Sequence, residues 1–396
     1  MRNTTRAITA AVIVAIAPRL LLAADAPAAA APAPPAVPAL SDLLTGWGLT
    51  TSGEFAASYY HSNGYPGSFH AFDEDHDTLQ LDEAGLQIGY QPKQGIGGYV
   101  DIIAGTDAQI LNGAEGNSPS YVGLRQGYLQ YATGPLTVIA GKFVTLAGAE
   151  VINPAQNTNF SRSMLFQLLE PLTHTGLRAT YAVSDTVSVI VGVNNGWNYT
   201  DVATSGSKTG EFGATYTPNK ILSFAVTGYI GKDDSNANAE VNLPGQQLSL
   251  IDLVATYNVT SALTVILNID AKQSSGDGLA GTDASTHDTT HTDGFAAYAN
   301  YAFTDSLRTS IRFEYLANHG PDDTVHPSHI VEGTATIGYS PVKNFEIRGE
   351  LRYDKAQTDD AIFLRSLGSD SSETPPTFAN NNFEFALQGV YKFSSP

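Results

Sequence analysis

The stretch Leu177–Val193, LRATYAVSDTVSVIVGV, limits what this chain can fold into more than any other. Leu177, Ala179, Tyr181 and Val183 alternate with Arg178, Thr180 and Ala182. After a Ser184–Asp185 turn, Val187, Val189, Val191 and Val193 alternate with Ser188, Ile190, Gly192 and Asn194. Side chains on a strand point to opposite faces with a period of two. Each arm of this hairpin therefore has one apolar face and one mostly polar face, which Ile190 interrupts. A soluble sandwich alternates in the same way, so the weight lies in repetition.

A tyrosine followed within about four residues by a turn sequence recurs along the chain. The instances are Tyr90 before Pro92-Lys93, Tyr131 before Gly134-Pro135, Tyr181 before Ser184-Asp185 and Tyr216 before Pro218-Asn219. Tyr257 before Thr260-Ser261, Tyr301 before Thr304-Asp305 and Tyr339 before Pro341 complete the series. The spacing, roughly 40 residues, is the length of two strands, a short turn and a long loop. The clearest alternating sets are Leu307/Ile311/Phe313/Tyr315 and Phe345/Ile347/Leu351/Tyr353, and the final strand carries Phe383/Phe385/Leu387/Tyr391/Phe393. The runs near Leu79–Tyr90, Tyr121–Tyr131 and Leu136–Phe143 change phase midway, as a β-bulge would make them do.

Seven short turns imply about sixteen strands with both ends of the sheet on one side. The other side receives eight long segments rich in Asp, Asn, Gly and Ser: Ser62–Asp77, Thr106–Ser120, Ala147–Leu172, Asn195–Ser207, Lys232–Gln246, Gln273–Thr292, Asn318–Ser328 and Lys355–Thr377. The expectation is an all-β transmembrane antiparallel barrel over residues 45–396, with short periplasmic turns and long extracellular loops. The seven tyrosines would form an aromatic girdle at the periplasmic interface. Composition agrees. Charged residues make up 15% of the 396, and the mean hydropathy of −0.10 is far too polar for a helical membrane protein. Residues 1–24 read as a signal peptide, with Arg2 and Arg6 ahead of the apolar run Ala7–Ala17 and cleavage near Ala24 or Ala26. Residues 25–44 read as an Ala/Pro-rich periplasmic linker. The absence of cysteine is compatible with export.

The inward positions of the clean strands carry charge. Arg308, Arg312 and Glu314 alternate with one apolar set; Glu346, Arg348, Glu350 and Arg352 alternate with another. Arg178, Asp252 and Asp270 take the same face, as do Glu54, Asp101, Glu211, Lys272, Glu332, Glu384 and Lys392. A charge in hydrocarbon costs about 2–4 kcal/mol at mid-depth, so these cannot face lipid. They are expected to line an aqueous pore, because about sixteen strands enclose more space than side chains fill. The alternative is cross-strand ion pairing inside a plugged barrel. The acids outnumber the bases, which predicts a weak cation preference.

Ala147–Leu172 is the long segment suited to a short apolar helix, over Arg162–Leu169 with Ser161 as N-cap and Pro171 as its end. It is expected to fold into the mouth or lumen as a constriction loop, with Asn159, Ser161, Arg162 and Phe166 as its key residues and Arg162 reaching the passageway. An external lid is the alternative. Other sites are weaker. His287 and His291 with Asp283, Asp288 and Asp293, or Asp73–Asp77, have metal-ligand types, but acidic loops are usually just solvated. Ser161, Ser163 and His174 lack a G-x-S-x-G context, and His174 alternates inward with Arg178. No catalytic residue, metal or other cofactor is expected, and the net charge of −19 argues against nucleic acid.

The segment Leu124–Trp197 resembles the OmpL-like, β-barrel porin-2 family of outer-membrane porins. The resemblance rests on Gly134-Pro135-Leu136-Thr137-Val138, Gly141-Lys142-Phe143, Glu150-Val151-Ile152 and Asn159-Phe160-Ser161-Arg162-Ser163. It continues through Glu170-Pro171-Leu172-Thr173-His174-Thr175-Gly176, Arg178-Ala179-Thr180-Tyr181 and Asn195-Gly196-Trp197. It implies an outer-membrane channel of a Gram-negative bacterium, with no catalytic residues to carry over. One departure concerns assembly: such barrels often end on an aromatic residue, whereas Phe393 is followed by Ser394-Ser395-Pro396. The expected function is passive diffusion of small hydrophilic solutes or ions. A substrate-specific channel and a non-channel surface barrel are the alternatives. Outer-membrane lipids, lipopolysaccharide and those solutes are the expected partners, and homo-oligomeric assembly is compatible with these features.

Overall fold

A computed structural model describes residues 46–64, 70–73, 76–198, 208–233, 246–277, 287–319, 329–356, 363–366 and 377–395. The expected signal peptide and linker lie outside them. The strands are β1 (Thr50–Ser62), β2 (Thr78–Tyr90), β3 (Gly95–Ala104), β4 (Val122–Thr133), β5 (Leu136–Val144), β6 (Thr173–Ala182), β7 (Val187–Asn194), β8 (Thr209–Tyr216) and β9 (Leu222–Asp233). They continue as β10 (Gln246–Asn258), β11 (Leu263–Asp277), β12 (His287–Ala302), β13 (Leu307–His319), β14 (His329–Val342), β15 (Phe345–Ala356), β16 (Phe363–Ser366), β17 (Thr377–Ala379) and β18 (Asn381–Ser394). Fifteen of them, β1 to β15, join β18 in one closed antiparallel barrel, and β16–β17 form a separate ribbon. Closure is what lipid demands, because an unpaired backbone edge has no water to bond to.

The seam runs from Ser52↔Ser394 to Ser62↔Glu384. Gly53 faces Phe393 there, and the Phe393 ring occupies the space that a Cβ on residue 53 would need. Beyond the seam, Ser395 N–H donates to Thr51 O at 2.7 Å, so the ladder continues past Phe393.

The short turns repeat one piece of chemistry. Ser184, Thr260 and Thr304 each accept, through the side-chain oxygen, the N–H groups two and three residues ahead; Asn219 does the same. These side chains imitate a backbone turn and each satisfy two donors at the start of the next strand. The seven tyrosines sit at this end of the barrel with their rings outward, from Tyr301 at 40% exposed to Tyr339 at 51%.

Two of the three runs that change phase are bulged. In the β1–β2 ladder Ala56 pairs with Glu83 and Ala57 with Leu81, so Asp82 is the extra residue. In β3–β4, Asp101 pairs with Gln126 and Ile102 with Leu124, leaving Arg125 as the extra one. Each bulge turns its extra side chain inward. The third run, β5, keeps a continuous register with both neighbours. Its phase change occurs at Gly141, whose φ of +136° suits glycine.

Among the described residues, two α-helices lie in the long segments. The first, α1 (Thr106–Ala114), packs Ala108 and Leu111 against Ile103 of β3, Phe72 and Phe166. It was not anticipated. Gly105 opens it at φ +128°, against the carbonyls of Leu81 and Asp82 at the β2 bulge. The second, α2 (Met164–Leu168), is shorter than the expected Arg162–Leu169, and its N-cap is Ser163 rather than Ser161. The segment expected as the loop Gln273–Thr292 is largely ladder, with β11 and β12 paired as far as Asp277↔His287.

Candidate functional site

The segment joining β5 to β6, residues 145–172 and called L3 below, runs through the barrel interior and back. It leaves β5 with Leu146 N–H on Tyr229 Oη of β9 (2.9 Å) and Ala149 N–H on Asn268 Oδ1 of β11 (2.6 Å). It then follows the β13–β15 wall. Arg308 donates to Thr158 O at 2.8 Å, and Arg348 donates to Asn157 O at 2.8 Å and Pro154 O at 3.0 Å. Arg312 reaches Ser161 O at 2.9 Å and the Glu150 carboxylate at 2.8 Å, while Arg352 reaches Arg162 O at 2.8 Å. Glu350 accepts from the N–H groups of Phe160 (2.6 Å) and Ser161 (2.9 Å). Backbone groups that a buried loop cannot leave bare are thus satisfied by charged wall residues.

The alternation of Arg and Glu along β13 and β15 is therefore a set of sockets for L3. Glu314 accepts from Met164 N–H at 2.8 Å, where a carboxylate suits the first turn of α2, and Ser163 Oγ accepts from Phe166 N–H at 3.1 Å. Asn159 Nδ2 donates to Thr336 at 2.7 Å, and Ser161 Oγ accepts from Arg312 at 2.9 Å. Arg162 points elsewhere than expected. Instead of reaching a passageway, it turns back on L3, donating to Val151 O, Phe160 O and Ile152 O, and is buried.

An apolar core seals L3 in place. Met164, Leu165 and Leu169 pack with inward-facing Tyr229, Leu248, Leu250, Tyr298, Leu316 and Ile330. Phe166 packs with Phe72, Ile152 and α1. The inner wall is thus not polar throughout. Arg312, Glu314, Arg348, Glu350, Arg352, Asp252 and Asp270 are buried beneath this packing rather than bathed in an open lumen. Arg308 and Glu346, paired at 2.6 Å nearer the turns, keep about a quarter and a fifth of their side chains exposed, at 24% and 20%. Cavities remain on both sides of L3. One of about 410 Å³, on the long-loop side, is lined by Phe72, Gln80, Thr106, Gln109, Gln167 and Leu172. Another of about 260 Å³, on the turn side, is lined by Ser52, Glu54, Gln87, Asn153, Gln156 and Lys392.

Three further charge groups face inward. Arg125, aimed by its bulge, binds Glu83 and Asp101 at 2.7 Å and Glu54 at 2.9 Å. Sequence reading missed Arg125 and Glu83, since a phase break shows that a bulge exists but not which residue it extrudes. Arg178 pairs with Glu211 at 2.6 Å and lies 4.2 Å above the Phe143 ring. Glu170, Asp252 and Asp270 form a carboxylate group with Asn268. Burial, then the neighbouring Asp270 and Asp252, push the Glu170 carboxyl well above its usual range.

In the segment after β1, His70 is buried between Asp73 (2.9 Å), Asp354 (3.3 Å) and Glu384 (3.6 Å). Burial and Arg352 oppose its charge; the three carboxylates outweigh them and hold its pKa up at about 10. His174 stacks on Tyr229 at 4.8 Å and is fully buried. Of the weaker metal candidates, Asp293 meets His319 at 3.3 Å on an exposed face, and Asp77 meets His61 and His76. Asp283, Glu74, Asp75 and the side chains of His287 and Asp288 lie outside the described residues.

With this geometry in view, the likeness to known proteins has a clear meaning. The model of the family described as "Putative beta-barrel porin-2, OmpL-like" matches residues 48–393, the whole barrel. The chain belongs to that family. It is an outer-membrane porin. No curated protein matches the sequence of this porin significantly. Its fold is similar to that of OmpT from Vibrio cholerae in its trimer form, with a TM-score of 0.59 at 10% identity, covering 87% of this chain and 99% of that one. It is likewise similar to the outer-membrane channel DcaP of Acinetobacter baumannii (TM-score 0.57, 13% identity, 87% and 97% covered). An anion-selective porin from Comamonas acidovorans gives a TM-score of 0.54 at 11% identity, with 87% and 99% covered. At such identities the porin shares their barrel; residue roles must come from its own side chains.

Proposed function

We propose that L3 is the constriction of this porin, and that small hydrophilic solutes and ions pass it by diffusion without any chemical step. The observation that carries this reading is the row of wall-to-loop hydrogen bonds from Arg308, Arg312, Arg348, Glu350 and Arg352, which holds L3 inside the barrel. Arg308 and Glu346 belong to the passage wall on the turn side. Arg312, Glu314, Arg348, Glu350 and Arg352 act by fixing the loop that sets the bore. Arg162 serves the constriction as an internal brace. The serines that could suggest a hydrolase have structural partners: Ser161 on Arg312, and Ser163 as the cap of α2.

Deleting Asn157–Gln167 tests this reading. Single-channel conductance in planar bilayers should rise; a conductance equal to that of the intact protein would reject L3 as the constriction. Because inward acids outnumber inward bases, reversal potentials under a salt gradient should show a weak cation preference. The outward tyrosines, Tyr90 through Tyr339, seat the turn end at the lipid headgroups, where an amphipathic ring is comfortable. The fold likeness to a trimeric OmpT supports assembly with further copies of this chain, which light scattering of the detergent-solubilised protein would measure.

A further inference from the structure

On the β13–β15 side of this barrel the inward carboxylates of Glu314, Glu332, Glu346 and Asp354 pair with arginines. Glu170, Asp252 and Asp270 have no such partner. Asp252 and Asp270 are directly opposed on β10 and β11, a like-charge pairing that destabilises a ladder by itself. Glu170, at the end of L3, closes over them. All three are buried, and one oxygen from each lies within 4.8 Å of the other two. Among the described residues none of the three forms an ion pair with lysine or arginine. Glu170 Oε2, Asp252 Oδ1 and Asp270 Oδ2 are each buried without a hydrogen-bond partner. Donors that do reach the group are neutral, chiefly Asn268 Nδ2, at 2.8 Å from Asp252 and 3.2 Å from Asp270.

The backbone beside the group is shaped for it. Gly148 sits at φ +91°, and a Cβ there would run into the Glu170 carboxyl. Ala149 N–H is fixed on Asn268 Oδ1 at 2.6 Å, which brings the start of L3 to the same spot as its end.

We propose that Glu170, Asp252 and Asp270 bind a hard divalent cation, with Ca²⁺ as the ion that fits. The donor set is oxygen only. Ca²⁺ takes oxygens at about 2.3–2.6 Å in an adaptable geometry, so oxygens on opposite sides of the ion stand about 4.6–5.2 Å apart, and neighbouring ones closer. The orphaned oxygens gain a partner, and three negative charges at one buried point are balanced by two positive ones. The ion clips the end of L3 to β10 and β11, beside the start of L3 that Asn268 holds, independently of how far L3 narrows the passage.

The test uses full-length protein refolded into detergent free of lipopolysaccharide, stripped with EDTA and titrated with Ca²⁺ by calorimetry. Wild type should bind a Ca²⁺ equivalent that raises its unfolding temperature. Asp252→Asn/Asp270→Asn should lose it, and Glu170→Gln should weaken it by more than about 10-fold, since losing even an outer-shell partner costs that much. Asp293→Asn, an exposed acid on β12, should leave it intact. Heat-modifiable gel migration confirms that each variant is a closed barrel. If the double variant fails to close, Glu170→Gln, confined to L3, decides alone. The proposal is overturned if wild type binds no such equivalent, or if closed variants bind Ca²⁺ as wild type does; the acids would then be sharing protons.

Discussion

L3 is held on two flanks that use opposite electrostatics. On the β13–β15 flank, Arg308, Arg312 and Arg352 meet both L3 carbonyls and carboxylates, while Arg348 meets the carbonyls of Asn157 and Pro154 and Gln388, so each cation is satisfied within the protein. On the β10–β11 flank, Asp252, Asp270 and Glu170 meet each other, with a neutral Asn268 between them. Both flanks arise from the same alternation of apolar-out and polar-in. The difference shows that inward alternation fixes only the face on which a charge sits. Its neighbour is set by what the loop brings, and by the choice of basic or acidic residue at that level.

Breaking the basic flank should have the largest effect. Arg312→Ala strands Glu150, Glu314 and Glu332 without their shared cation. Breaking one member of a buried ionic group costs about 3–5 kcal/mol, and urea unfolding in lipid vesicles would read that loss. The next effect concerns the end of the same flank, where His70 bridges Asp73, Asp354 and Glu384. Its pKa rises from 6.5 to about 10 on folding. The stability from its charge is therefore complete below about pH 6.5 and drains away as the pH climbs through about 10. The unfolding temperature of wild type should fall over that window relative to His70→Gln. Parallel curves would remove His70 from the comparison.

Smaller losses sharpen the contrast. Glu350→Ala strips acceptors from two buried N–H groups, those of Phe160 and Ser161. This should cost about 1–3 kcal/mol in the same unfolding assay. On the acidic flank, Gly148→Ala forces a side chain into a positive-φ position against Glu170. Its cost, about 1–3 kcal/mol, should appear as faster proteolysis of L3 while the barrel stays closed. Ser163→Ala removes only the cap of α2, worth about 1 kcal/mol, and should give the least change in L3 protection by hydrogen exchange.

The barrel was legible because its signals are local. Tyr257 followed by Thr260-Ser261 is a strand end and a turn within a few residues, and the outward set on β13 needs no knowledge of partners. L3 was legible as an apolar segment with nowhere to go in water. Its anchoring was not, because Arg348 meets Asn157 across 191 positions of sequence. The inward apolar residues Leu248, Leu250 and Leu316 were missed for a related reason: they face the interior like polar residues, and only the arrival of Met164 and Leu165 makes that favourable. Arg162 was aimed wrongly because the carbonyls it serves come together only once L3 is folded. In α1, the apolar spacing Ala108 to Leu111 was present but brief.

The cluster around Met164, Leu165 and Tyr229 gives this barrel a second personality. Its contents resemble a small water-soluble protein enclosed in a sheath, and hydrophobic burial gives such contents a heat capacity of unfolding of their own. Scanning calorimetry should therefore register the contents melting as a separate, cooler transition, with the sheath still intact around them.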